Sequence, residues 1–91
     1  MSEITITELE PGTFDVQVEE GHETTSHRVR LEADFLDEAG LDAVEREVVV
    51  RETFEFLLER EPASAIMSEF GLDDVQRFFP DYVEELTRRV G

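Results

Sequence analysis

Two runs of alternating residues, on either side of Gly21-His22, restrict the fold of this chain more than any other feature. In residues 14–18 every second side chain is large and apolar, and residues 27–31 continue the pattern if His27 is counted with them. A period of two is typical of half-buried β-strands, because successive side chains point to opposite faces of a sheet. This region is therefore predicted to be a β-hairpin.

A type II′ turn, with Gly21 at its first central position, determines the register of this hairpin. It places the apolar residues of both strands on one face, as a half-buried sheet requires. On the other face Asp15 lies opposite Arg28, which is a favourable cross-strand pair. The other predicted pairs are Glu20 with Glu23, Val18 with Thr25, Val16 with His27, and Phe14 with Val29.

The rest of the chain predicts one more strand and a helical C-terminal part. Ile4 and Ile6 alternate in the same way, and Pro11-Gly12 separates them from the hairpin. The predicted fold class is α+β, a three-stranded antiparallel meander covered on one face by a C-terminal set of about three to four helices. Residues 1–91 form a single domain. The strands are predicted at about 3–9, 13–20 and 24–32.

Glycine, proline and capping signals divide the C-terminal part into helical segments, the first as short as a turn. Gly40 ends that first segment, and Asp42 caps the long second one, with Glu45 completing a capping box. Three consecutive valines in the long segment also suit a strand, but its flanks, with Glu47 and Arg51 as an i,i+4 pair, favour a helix. Asp73 is the predicted cap of the fourth segment. The segments cover 33–39, 42 to about 60, 64–70, 73–79 and 81–90.

The predicted core joins the apolar face of the meander to residues from the larger helices. In the last segment an apolar stripe is backed by two Glu–Arg pairs at i,i+4, which is typical of an amphipathic helix. The predicted core residues are Phe14, Val16, Val18, Val29, Leu31, Phe54, Leu57, Phe78 and Leu86.

The charge of the chain limits its partners. There are 24 acidic residues against 8 basic ones, all arginine, for a net charge of −16. Nucleic acids and anionic membranes are therefore not expected as partners, because binding to either relies on positive charge. Two interpretations of the acidity stay open: hydration in a salt-rich cytoplasm, or attraction to a basic protein surface, up to imitation of nucleic acid. The acids are spread along the chain, which favours hydration.

Other features bear on location and redox context. The sequence has no cysteine, so neither disulfides nor thiolate metal sites are expected. The first residues lack the basic and apolar regions of a signal peptide, and no apolar run approaches the roughly 20 residues of a membrane helix. A cytoplasmic location is expected.

Two histidines raise the question of a metal site. His22 and His27 lie close to Glu19, Glu20 and Glu23 in the sequence. In the predicted register, however, His22 is at the turn and His27 is on the apolar face, so both cannot bind one ion. We expect no metal and no cofactor. Enzymatic activity is not expected either. Acidic residues that are adjacent in the sequence lie on polar, solvated stretches, and the sequence has no nucleophile motif or phosphate-binding motif.

Four aromatic residues cluster around Pro80: Phe70, Phe78, Phe79 and Tyr82. One interpretation is that they close the end of the core. The other is that Phe79 or Tyr82 is exposed and anchors a partner or a second copy of the chain, because aromatic residues dominate interface hot spots. The outer strands of the meander also offer backbone edges for pairing.

The segment Phe54-Glu55-Phe56-Leu57-Leu58-Glu59-Arg60-Glu61-Pro62, followed by Phe78-Phe79-Pro80-Asp81-Tyr82, resembles the C-terminal half of small uncharacterised prokaryotic proteins. The resemblance covers about residues 43–86. It implies a self-contained domain and no catalytic residue.

Three functional hypotheses follow from the sequence. The leading one is a non-enzymatic acidic domain that binds another protein or itself. The alternative is an acidic decoy that occupies a basic, nucleic-acid-binding surface. The third is a minor enzyme or metal-binding protein.

Overall fold

The N-terminal part of the computed structural model, which describes residues 2–90, is the predicted antiparallel meander. All predicted cross-strand pairs of the hairpin are present, including Asp15 opposite Arg28. Gly21 has a φ of 64°, and no residue other than glycine has a positive φ in the described chain, as a type II′ turn requires. The strands are β1 (Ser2–Glu10), β2 (Thr13–Glu20) and β3 (Glu23–Arg30).

A fourth strand, β4 (Glu69–Gly71), pairs in parallel with β3 and completes a sheet of order β1-β2-β3-β4. The predicted helix over 64–70 is therefore wrong, and only Ala63–Ala65 forms a 3₁₀ turn there. Phe70 lies beside Val29 and is buried. A short apolar run does not distinguish strand from helix, and the strand that pairs with it is about 40 positions away, beyond the reach of local periodicity.

The helices follow the meander and complete the predicted α+β fold. Gly40 ends the first helix with a left-handed φ of 73°, as predicted. The predicted cap at Asp42 is wrong: buried Leu41 accepts a hydrogen bond in a turn, and the second helix begins only at Arg46. The helices of residues 2–90 are α1 (Ala33–Ala39), α2 (Arg46–Arg60), α3 (Leu72–Phe78) and α4 (Tyr82–Val90).

The predicted cap of α3 is displaced in the structure. The helix begins at Leu72, so Asp73 lies inside its first turn. The N-cap residue is instead Gly71, and the carboxylate of Asp74, three residues further on, accepts its N–H at 3.2 Å. In residues 2–90 we find no helix with the length and apolar character needed to cross a membrane.

Helix α2 includes the three valines at 48–50, so the choice of helix over strand is confirmed. The predicted Glu47–Arg51 pair is absent from the ion pairs of the described residues. Arg51 instead donates a hydrogen bond to the carbonyl oxygen of Ile4 at 3.1 Å. The reason is that α2 passes close to β1, whose outer edge has carbonyl oxygens without a strand partner.

The core lies between the sheet and the helices, and eight of the nine predicted core residues are buried in it. The exception is Phe78, which is 63% exposed. The core-facing side of α3 is defined by Leu72 and Val75, both buried. At about 100° per residue, Phe78 lies roughly 90° away from the middle of that side, and its ring therefore points outward.

Candidate docking groove

A surface groove of about 290 Å³ opens beside Phe78. It is bounded by the C-terminal end of α2, residues 65–67, β4 and α3, and is termed the α2–α3 groove. Eight of its nine lining residues are apolar, and Glu61 is the one charged residue among those described. The lining consists of Leu57, Glu61, Ala65, Ile66, Met67, Phe70, Val75, Phe78 and Phe79.

The rim of the groove gathers exposed apolar surface. Phe78 is 63% exposed and Met67 is 45% exposed. In the described part of the chain only two other large apolar side chains, Leu9 and Val48, are exposed, and neither lines the groove. Contiguous exposed apolar surface of this kind often marks an interaction site, whereas isolated residues do not.

One wall of the groove is stabilised by cation–π contacts of Arg60 with the rings of Phe56 and Phe79. The ring of Phe79 meets that of Phe56 edge-on, with centroids 5.7 Å apart and an interplanar angle of 87°. The guanidinium of Arg60 lies 4.2 Å from the ring centroid of Phe56 and 5.5 Å from that of Phe79. Arg60 is in turn held by Asp81, with an N–O distance of 2.6 Å. These contacts restrict the rotation of Phe79.

Another wall is anchored to the sheet through His27. Its Nδ1 lies 2.8 Å from the carbonyl oxygen of Met67, and its Nε2 lies 2.8 Å from the hydroxyl of Thr25. A carbonyl oxygen only accepts, so Nδ1 carries the proton and, in the neutral ring, Nε2 accepts from Thr25. His27 is 3% exposed and packs on Phe54, with ring centroids 5.4 Å apart.

The prediction that the two histidines point apart is confirmed. His22 is exposed at the hairpin turn, whereas His27 is buried on the core face. Among residues 2–90 no group of three His, Cys, Asp or Glu side chains is arranged to hold a metal ion.

The four predicted binding residues separate into three environments. Phe78 and Phe79 line the groove at its rim and wall, and Phe70 is buried at its floor. Tyr82 is fully buried outside the lining, so it offers no surface to a partner. Met67 completes the rim, although the sequence placed it in a predicted helix and carried no signal for its exposure.

Tyr82 is buried because α4 packs against α2. Its ring stacks on that of Phe35 at 6.0 Å, and its hydroxyl is 2.7 Å from that of Thr53. Burial raises the pKa of Tyr82 well above its ordinary value, since the phenolate would lose its hydration. The predicted Glu–Arg pairs of α4 are present, with N–O distances of 3.7 and 3.8 Å.

The strand edges differ in their accessibility. β4 covers the edge of β3, so that edge is not free for pairing along its last three residues. β1 forms the opposite edge of the sheet, where Arg51 donates a hydrogen bond to the carbonyl oxygen of Ile4.

Comparisons with protein-family models, with curated proteins and with solved structures found no match to this chain. No binding or catalytic residue is therefore transferred to the groove from a relative. The resemblance of residues 43–86 to small uncharacterised prokaryotic proteins stays a prediction.

Proposed function

We propose that this chain is a small, non-enzymatic interaction domain of the cytoplasm that binds a segment of another protein in the α2–α3 groove. The observation that carries the proposal is the 63% exposure of Phe78 at the mouth of an apolar groove. Leaving a phenylalanine side chain in water rather than burying it costs about 1.5–3 kcal/mol. A partner that covers Phe78 recovers part of that free energy.

The size of the groove supports a protein segment as its occupant. Small-molecule sites usually measure about 300–1,000 Å³ and enclose most of their ligand. A volume of about 150 Å³ is enough for a benzene-sized ring, so the 290 Å³ groove has room for about two such groups. Anchoring one or two large side chains in a surface groove is how hot-spot residues bind.

The chemistry of the lining supports binding rather than catalysis. Glu61 is the one ionisable side chain that lines the groove in the described chain. General acid–base catalysis and nucleophilic catalysis both need a second group that activates or complements the first. An apolar lining with one carboxylate is suited to recognition.

The proposal is tested by purifying partners from the native cytoplasm with three immobilised proteins: wild type, Phe78→Ser and Leu9→Ser. Leu9 is a matched control, since it is 49% exposed and lies on β1, at the opposite edge of the sheet from β4. We expect a specific protein to be retained by wild type and Leu9→Ser and lost by Phe78→Ser. It should stay bound near 1 M salt, where the screening length is about 3 Å.

Two outcomes contradict the proposal. Recovery of the same proteins by all three baits shows that the groove is not the binding surface. Complexes that dissolve at high salt regardless of Phe78 support an acidic decoy instead. Sedimentation of the purified chain distinguishes a second copy as the occupant, because self-association would then depend on Phe78.

A further inference from the structure

We infer that the segment bound in the α2–α3 groove is cationic, with an arginine or lysine beside its apolar anchors. The inference rests on the proposed function and concerns the partner that this groove selects. It depends on the position of Glu61, which follows the last residue of α2 and lines the groove. The backbone N–H of Glu61 donates to the carbonyl oxygen of Leu57 at 2.9 Å, which fixes the backbone of Glu61 at the C-terminal end of α2.

Glu61 has no partner of its own within the described residues. Every arginine in residues 60–90 has a carboxylate oxygen within 3.9 Å, and none of these carboxylates belongs to Glu61. Arg60, its neighbour in sequence, pairs with Asp81 and lies over the ring of Phe56. The carboxylate of Glu61 is therefore free to pair with a group from outside the chain.

Docking of a partner segment makes the carboxylate of Glu61 selective for a basic residue. The side chain of Glu61 is partly buried before any partner binds, and an apolar segment laid in the groove would remove more of its water. Removing water from a carboxylate that has no partner is unfavourable. A basic residue removes that cost, whereas a neutral or acidic segment does not.

The charge of the whole chain acts in the same direction. With a net charge of −16, the chain attracts a basic segment over long range and repels a second copy of itself. Apolar anchors with a basic residue three or four positions away lie on one face of a helix. A basic amphipathic helix therefore presents both features to the groove, and it is the probe for the experiment.

The experiment uses two short synthetic amphipathic helices with the same leucine anchors and one tryptophan, one carrying arginines and the other glutamines in their place. The protein contains no tryptophan, so the fluorescence of the peptide reports binding directly. Each peptide is titrated with wild type, Glu61→Gln and Glu55→Gln. Glu55 is exposed on α2 and outside the lining, so its variant removes the same formal charge away from the groove.

We expect the arginine peptide to bind more tightly than the glutamine peptide. Glu61→Gln should weaken binding of the arginine peptide about twofold to fivefold more than Glu55→Gln does, the range for a partly exposed ion pair. The same substitution should leave the glutamine peptide unaffected or bound more tightly. Equal binding of the two peptides to wild type, or equal effects of the two substitutions, overturns the inference.

Phe78→Ser separates failure of the inference from failure of the proposed function. If it abolishes binding of both peptides while charge has no effect, the groove is a docking site without a preference for cations. If both peptides bind this variant as they bind wild type, attachment is elsewhere and the proposed function is wrong for these probes. If neither peptide binds wild type, the inference is wrong, and the purification with Phe78→Ser decides the proposed function by itself.

Discussion

The imidazole of His27 donates a hydrogen bond from Nδ1 to the carbonyl oxygen of Met67 at 2.8 Å, across 40 positions of the sequence. It joins the buried face of β3 to the segment that forms the rim of the α2–α3 groove. The groove is thus positioned by the sheet as well as by the helices. Both ring nitrogens of this buried side chain are hydrogen-bonded, and loss of either bond destabilises the folded chain.

His27→Phe keeps a ring against Phe54 but removes both hydrogen bonds. We expect the free energy of unfolding to fall by about 1–3 kcal/mol, since a partly buried carbonyl oxygen and a partly buried hydroxyl lose their partner. Thr25→Val removes only the bond to Nε2, and it should cost less, about 0.5–1.5 kcal/mol. Urea unfolding of both variants measures the difference. If Thr25→Val is the more damaging, the bond to Met67 does not position the rim.

The hydroxyls of Thr53 and Tyr82 form an asymmetric pair. Thr53 donates to the carbonyl oxygen of Val49 at 2.7 Å, so the proton between the two hydroxyls comes from Tyr82. Thr53→Val leaves that buried donor unpaired and should cost about 1–3 kcal/mol, whereas Tyr82→Phe should cost about 0.5–1.5 kcal/mol. Chemical denaturation ranks the two variants, and the reverse order would contradict the assigned direction of the bond.

Burial of Tyr82 also predicts how stability depends on pH. The pKa of its phenol is raised in the folded chain above the ordinary value of about 10, because burial disfavours the charged form. Ionisation of Tyr82 therefore leaves the free energy of unfolding unchanged below about pH 10. Above that pH the free energy of unfolding declines, because the tyrosine ionises in the unfolded chain and stays neutral in the folded one.

The single tyrosine makes this prediction directly measurable. Tyrosinate absorbance should rise together with the loss of far-ultraviolet circular dichroism, and not before it. In Tyr82→Phe the loss of stability in this alkaline range should be smaller. Ionisation at about pH 10 with intact secondary structure would show that Tyr82 is solvated.

The phenylalanines of the groove should differ in their effect on folding. Phe70 is 4% exposed, and Phe70→Ala should destabilise the chain by about 3–5 kcal/mol through loss of burial and a residual cavity. Phe78→Ala should change stability by less than about 0.5 kcal/mol, as a surface substitution does. Phe79→Ala should lie between them, because its ring packs on Phe56 and Arg60. Thermal unfolding tests the order, and a large loss for Phe78→Ala would place that ring in the core.

Much of the fold could be predicted because it depends on neighbouring residues. The hairpin around Gly21 has the predicted register, since the turn type and the apolar alternation act within a few positions of each other. The left-handed end of α1 at Gly40 and the ion pairs of α4 are local in the same sense. The predicted cap at Asp42 is wrong, because Leu41 is buried in the segment before α2 and the helix begins only at Arg46.

The candidate site was predicted only in part. The aromatic cluster around Pro80 is visible in the sequence, and two of its members, Phe78 and Phe79, line the groove. Met67 carried no signal, because its segment is held by contacts about 40 positions away, the pairing of β4 with β3 and the bond of the Met67 carbonyl oxygen to His27. Glu61 was one of 24 acidic residues, and nothing local distinguishes it from the others.

By itself the sequence determined the meander, the helical character of most of the C-terminal part and an acidic surface, because alternation, turns and charge are properties of neighbouring residues. Only the tertiary structure decided that Tyr82 is buried and Phe78 is exposed. Both are aromatic, both lie in predicted helices, and their periodicity is equally compatible with burial. The difference arises because α4 packs against α2 while α3 turns Leu72 and Val75 inward, and packing of that kind is set by partners that are distant in the chain.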